Sequence, residues 1–133
     1  MIVKAALLLF RETNNQKELL FVRPFGKFYF VFPGGKQEKG ETVEQALERE
    51  LQEELSVDAK NIQKLGVVEG QTPDGRPLQM HLYSAELVGD PCPSAEIEKI
   101  AWMSQEVALA HSEAMTPMTL QHVFPFLTAH NLW

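Results

Sequence analysis

Behind the glycine pair Gly34 and Gly35, the stretch from Thr42 to Leu55 carries two interlocked patterns. Leu47, Leu51 and Leu55 recur every fourth residue, while Glu50, Glu53 and Glu54 stand at i, i+3 and i+4. The leucine spacing predicts a helix that packs by one stripe. Thr42, with Gln45 three residues on, supplies a capping-box start for it. At about 100° per residue, Glu50 and Glu54 project close together with Glu53 to one side, so the acids flank the leucine stripe at the seam between helix and sheet. Like charges at these spacings repel by about 0.2–0.5 kcal/mol per pair, and a cation would offset that cost. Glutamate oxygens are hard donors, which suit Mg²⁺ or Mn²⁺. A solvated acidic helix face is the alternative that three carboxylates alone leave open.

The surroundings narrow the choice. Gly35, Glu41, Arg49, Glu50, Leu51, Glu53, Glu54 and Val57 fill eight of the nine specified positions of the pattern G-x5-E-x7-R-E-U-x-E-E-x-G-U, where U is a bulky aliphatic residue. In this the chain resembles the Nudix (MutT-like) hydrolases, and Phe32, Pro33, Gly34, Gly35 and Lys36 resemble the strand-to-loop entry usual in that family. Ser56 is the departure, standing where the family has glycine. A left-handed helix-ending residue suits glycine, and serine there costs roughly 1 kcal/mol. The resemblance implies an α/β fold, the Nudix α/β/α sandwich with a mixed β-sheet. It implies metal on Glu50, Glu53 and Glu54 with the backbone carbonyl of Gly34. It also implies hydrolysis of a diphosphate linkage in a nucleoside diphosphate joined to another moiety, with a nucleoside triphosphate yielding monophosphate and pyrophosphate. Mg²⁺ is the expected cofactor and Mn²⁺ its alternative.

Composition fits this reading without revealing it. The 133 residues are the size of one domain, and a single domain over 1–133 is expected. Hydrophobic residues at 44% and charged residues at 23% exclude a disordered chain. The apolar run from Ala5 to Phe10 is too short to span a bilayer and precedes no small-residue cleavage site. Cys92 is the single cysteine, so no intramolecular disulfide forms, and a cytoplasmic location is expected. A net charge of −6 argues against a broad basic surface for nucleic acid polymers. A small nucleotide remains an acceptable partner when bound cations invert the local field. Self-association stays open.

Elsewhere, Ile2 to Phe10 and Glu18 to Val22 read as a strand hairpin around the polar cluster at 11–15. Phe28 to Phe32 reads as a strand feeding the glycine loop. Ile62 to Val68 and Leu78 to Leu87 read as strands around a turn at Thr72–Arg76. Lys99 to Met103 reads as a short strand, and Met118 to Leu127 as a helix that Pro125 kinks or ends. Strands mixed with two helices predict a mixed sheet covered on both faces.

Arg49 is expected to orient or balance the glutamates, and Glu41 to hold the loop against the helix. By the resemblance, Glu53, Glu96 and Glu98 are the candidates to take a proton from water; alternating solvent-facing acids are the plainer account of the latter two. Gly34 and Gly35 permit close approach of backbone to phosphate. Arg23 is a candidate phosphate ligand and Phe30 a candidate stacking residue, although strand aromatics belong more often to a core. The four histidines show no zinc-ligand spacing. Pro73, sixteen residues after Val57, is a spacing associated with ADP-ribose hydrolases, and turn chemistry accounts for that proline equally well. An ADP-ribose or nucleotide-sugar pyrophosphatase is therefore one alternative, and a non-catalytic nucleotide-sensing Nudix module another.

Overall fold

The computed structural model describes residues 1–133. Seven strands form two sheets. β1 (Ile2–Leu7), β4 (Gly34–Lys36), β5 (Asp58–Gln71) and β6 (Pro77–Val88) make one in the order β4-β1-β6-β5. β1 and β6 run parallel there and the other pairs antiparallel, so this sheet is mixed. β2 (Phe10–Thr13), β3 (Gln16–Pro24) and β7 (Ile97–Ser104) make the antiparallel sheet β2-β3-β7.

The alternation of side chains across a strand explains why helices cover both faces. Ala5, Leu7, Leu20 and Val22 pack with Leu47, Leu51 and Leu55 of helix α1 (Val43–Leu55). Their neighbours Ala6, Leu8, Leu19 and Phe21 point the other way and pack with Val123, Phe124 and Leu127 near the C-terminus. The result is the expected α/β/α sandwich.

Helix α1 begins as its sequence predicts. The Gln45 N–H donates to Thr42 Oγ1 at 3.0 Å, and the Thr42 N–H donates back to Gln45 Oε1 at 2.9 Å. Its three leucines are fully buried.

Several elements differ from expectation. The run Ile2 to Phe10 is not one strand, because the backbone breaks after Leu7 and β1 and β2 enter different sheets. The hairpin is β2–β3, closed by Asn14 and Asn15 with φ of 52° and 63°, a geometry that two-residue hairpins favour and asparagine tolerates. Phe28 to Phe32 forms only single bridges, Val22 to Val31 and Phe30 to Met115; the strand lies further on, in the glycines themselves. Helix α2 (Gln105–Ala110), capped by Ser104, was not expected. In the C-terminal segment a π-helical turn spans Thr119–Val123 and α3 spans Phe124–Ala129. Pro125 has no N–H to donate, and the preceding turn is wound so that the Phe124 N–H reaches the carbonyl of Thr119, five residues back. No helix is long and apolar enough to cross a membrane.

Candidate functional site

Strand β4 lies at the edge of the mixed sheet, and its register decides what it offers outward. The Leu7 N–H donates to Pro33 O and the Gln37 N–H to Val3 O, so Pro33, Gly35 and Gln37 turn their backbone toward β1. Gly34 and Lys36 turn theirs to the open edge. The Gly34 N–H donates there to Glu54 Oε1 at 2.9 Å, and Lys36 O accepts from Arg49 Nη2 at 3.0 Å. The Gly34 carbonyl thus faces the same edge with no strand partner.

Both glycines are required by contact. At Gly34, with φ of 134°, a Cβ would overlap the carbonyl of Ala5. At Gly35 a Cβ would stand 2.5 Å from the carboxyl carbon of Glu50. The helix carboxylates therefore approach the strand backbone directly.

Glu50, Glu54 and Glu96 bring carboxylate oxygens within 4.8 Å of one another. Glu54 is only 5% exposed. Burial pushes its carboxyl up to about 8, opposed by the Gly34 hydrogen bond and reinforced by the negative charges of Glu50, Glu96 and Glu53. Glu50 is also raised, first by burial, while the Arg49 guanidinium pulls it back. With Glu54 buried and Glu50 half-buried, the negative charge of this cluster is poorly compensated by the protein alone. Its all-oxygen donor set, with the Gly34 carbonyl beside it, fits a hard divalent cation such as Mg²⁺.

Glu96 comes from the loop before β7, which is fastened to the end of α1. The Cys92 N–H donates to Leu55 O at 3.0 Å, the Ser94 N–H to Glu54 O at 2.9 Å, and Ser94 Oγ to Glu53 O. These bonds satisfy carbonyls that a helix end leaves free, and they set Glu96 opposite the helix acids. Ser56 ends the helix in the left-handed region, with φ of 56° and ψ of 39°, the conformation for which glycine is better suited.

Arg49 is engaged mainly with Glu41. Its Nε and Nη2 meet the two carboxylate oxygens at 3.1 and 2.8 Å, a bidentate fork. Nη1 reaches Glu50 at 2.9 Å and Glu53 only at 3.5 Å. Glu41 in turn accepts from the Glu38 N–H, so the pair ties the glycine loop to the helix.

A cleft of about 630 Å³ opens from this cluster. Gly34, Gly35, Glu50, Glu54 and Glu96 line one end. Met80, Met118, Phe32 and Tyr29 give the cleft an apolar part, where the buried hydroxyls of Thr116 and Thr119 hydrogen-bond each other at 3.1 Å. The remaining predicted residues lie elsewhere. Glu53 is 49% exposed and outside the three-carboxylate cluster. Arg23 pairs with Glu98 at 3.2 Å, and neither lines the cleft. Phe30 packs against the core, whereas Tyr29 faces the cleft. Sequence reasoning missed Lys4 and Arg76, which also line it. A lone lysine within the apolar strand Ile2–Leu7 was the available signal for the first.

Residues 2–121 match the family model described as NUDIX domain. The chain is 50% identical over 46 residues to an 8-oxo-dGTP diphosphatase of Proteus vulgaris, covering 35% of this chain and 41% of that one. It is 42% identical over 52 residues to an RNA pyrophosphohydrolase of Erwinia tasmaniensis, covering 39% of this chain and 30% of that one. The matches thus span less than half the length of these curated relatives. Among solved structures, a NUDIX hydrolase from Nitrosomonas europaea superposes with a TM-score of 0.77 at 23% identity, over 97% of this chain and 89% of that one, a likeness of fold.

Proposed function

The chain belongs to the NUDIX family, and from that premise we propose that it hydrolyses a diphosphate linkage in a nucleoside diphosphate joined to another group. The preferred substrate in this reading is a nucleoside triphosphate, giving a monophosphate and pyrophosphate, with residues 1–133 acting as one domain in the cytoplasm. The observation that carries it is the Glu50, Glu54 and Glu96 cluster beside the backbone of Gly34, at one end of a nucleotide-sized cleft.

Glu50, Glu54 and the Gly34 carbonyl would hold Mg²⁺, with Glu96 facing them. Bound there, the ion would neutralise phosphate oxygens and make water more acidic. The small glycines leave room for a phosphate against the strand. Arg49, fixed by Glu41, opposes the effect of burial on Glu50 and holds its carboxylate toward the cluster. Of the three candidates to accept the proton of the attacking water, Glu98 is committed to Arg23 and lies off the cleft, and Glu53 stands outside the cluster. Glu96 lines the cleft within reach of both helix acids, and we assign the proton-accepting role to it. As the water oxygen bonds to phosphorus, the bridging P–O bond breaks and its electron pair leaves with the departing phosphate. Glu53 is a supporting residue beside Arg49.

The test is product-resolved hydrolysis with Mg²⁺ of canonical and oxidised nucleoside triphosphates, ADP-ribose, nucleotide sugars and dinucleoside polyphosphates. Glu54→Gln, Glu96→Gln and Glu53→Gln run in parallel. Nucleoside monophosphate release that falls by orders of magnitude in the first two variants supports the assignment. Pro73 lines the cleft, which keeps ADP-ribose as the second reading. A preference for it over every triphosphate would replace the first. Saturable binding without turnover of any compound would favour a sensing module.

A further inference from the structure

Lys4 is the only charged residue of β1 and is partly buried on the cleft wall. It shares the strand face of Ala6, two residues on, and pairs in register with Lys36 of β4. Like charges directly opposite on neighbouring strands are destabilising, and burial adds a desolvation cost. Nothing in the protein offsets this closely, because no carboxylate lies within ion-pair distance of Lys4. The charges that it feels are Arg76 and Lys36, both repulsive, and Glu50 and Glu54, both attractive. It shares the cleft wall with the carboxylate cluster and with Arg76, whose Nε is held by Asp74 at 3.0 Å. Lys4, Lys36 and Arg76 all line the cleft. Three cations so placed are complementary to an extended anion that runs from the carboxylate end along the cleft.

We propose that Lys4, assisted by Lys36 and Arg76, is a specificity-determining residue that reads the charge of the phosphate chain and selects nucleoside 5′-triphosphates over molecules whose diphosphate is capped at both ends by uncharged groups. The inference rests on the hydrolase reading above and deepens it. A triphosphate ends in a free phosphate with additional negative charge; an internal diphosphate bridge has none to place on the extra cations. Lys4 acts as a point charge with rotatable donors, so arginine should substitute for it in part.

Two measurements test this. First, KM and kcat are determined with Mg²⁺ for a nucleoside triphosphate and for ADP-ribose, using wild type, Lys4→Met and Lys4→Arg. Lys4→Met is expected to raise KM for the triphosphate by about 10- to 100-fold, the size of a lost charged hydrogen bond, and to change KM for ADP-ribose much less. Lys4→Arg should recover most of the loss. Equal effects on both substrates, or none, would overturn the proposal. Second, inorganic tripolyphosphate is titrated calorimetrically into the same proteins in chelator-treated buffer, with Arg76→Gln as a turn variant that leaves β1 intact. Weaker binding by Lys4→Met and, to a smaller degree, by Arg76→Gln supports the clamp, and unchanged affinity in both refutes it. Wild type that binds tripolyphosphate through Lys4 yet hydrolyses nothing would fail the hydrolase reading alone.

Discussion

Glu54 is the residue at which burial and chemistry conflict most directly. In the unfolded chain its carboxyl titrates near ~4.3, whereas in the fold it is pushed up to about 8. Between those values the folded protein keeps a proton that the unfolded chain has released, so the unfolded state binds fewer protons and Glu54's contribution to stability falls as pH rises. The contribution is intact below the lower value and lost as pH passes through the upper one. Metal-free Glu54→Gln should therefore gain thermal stability over wild type progressively from pH 5 to 8.5; a pH-independent difference would contradict the assignment. The same proton must leave when a cation binds. Calorimetric titration of Mg²⁺ near pH 7 should then show heats that vary with the ionisation enthalpy of the buffer, and Glu54→Gln should lose that variation. Ser56 poses a smaller problem of backbone strain. Ser56→Gly should stabilise by up to about 1 kcal/mol, seen as a melting temperature a few degrees higher, less whatever the 3.3 Å contact with Ser94 contributes.

At the scale of elements, two short fastenings hold the site together. The Arg49–Glu41 fork ties the glycine loop to α1. Arg49→Lys keeps the charge but loses the fork, and it should reduce kcat while leaving the helix content by circular dichroism unchanged. The second fastening is the loop at 92–97 against the end of α1. Ser94 donates to Glu53 O from its side chain and to Glu54 O from its backbone. Ser94→Ala removes the first, together with the contact to Ser56 Oγ, and keeps the second, at a cost of about 1 kcal/mol. Because Glu96 lies two residues on, its activity should fall more than its stability. A variant with wild-type kcat and Mg²⁺ affinity would show that the loop does not position the acid.

For the whole molecule, folding gathers acids from α1 and from the loop before β7 at one edge of the sheet, and a ligand that binds only this arrangement stabilises the fold by mass action. Mg²⁺ should raise the melting temperature of wild type, and more at pH 8 than at pH 6, since proton competition at Glu54 weakens as pH rises. Glu50→Gln and Glu54→Gln should blunt the shift, and Glu98→Gln, whose position is off the cleft, should keep it. The sandwich itself should tolerate these changes, because its two cores are built from residues on opposite strand faces that do not include the acids.

The sequence by itself determined helix α1 in detail: its capping box, its buried leucines and the side on which Glu50 and Glu54 emerge all depend on spacings of three and four residues. It also determined the family, since that depends on residue types at fixed separations. Local patterns misplaced what depends on partners. The strand ahead of the helix formed in the glycines, where propensity is poor but β1 offered a register, and the long N-terminal run divided between two sheets. Only the tertiary structure chose among Glu53, Glu96 and Glu98 as neighbours of Glu50 and Glu54, paired Arg23 with Glu98, and placed Lys4 against Lys36 and near Arg76. Those relations join residues distant in the chain, and alternation within a strand says which face a side chain takes but not what will stand opposite it.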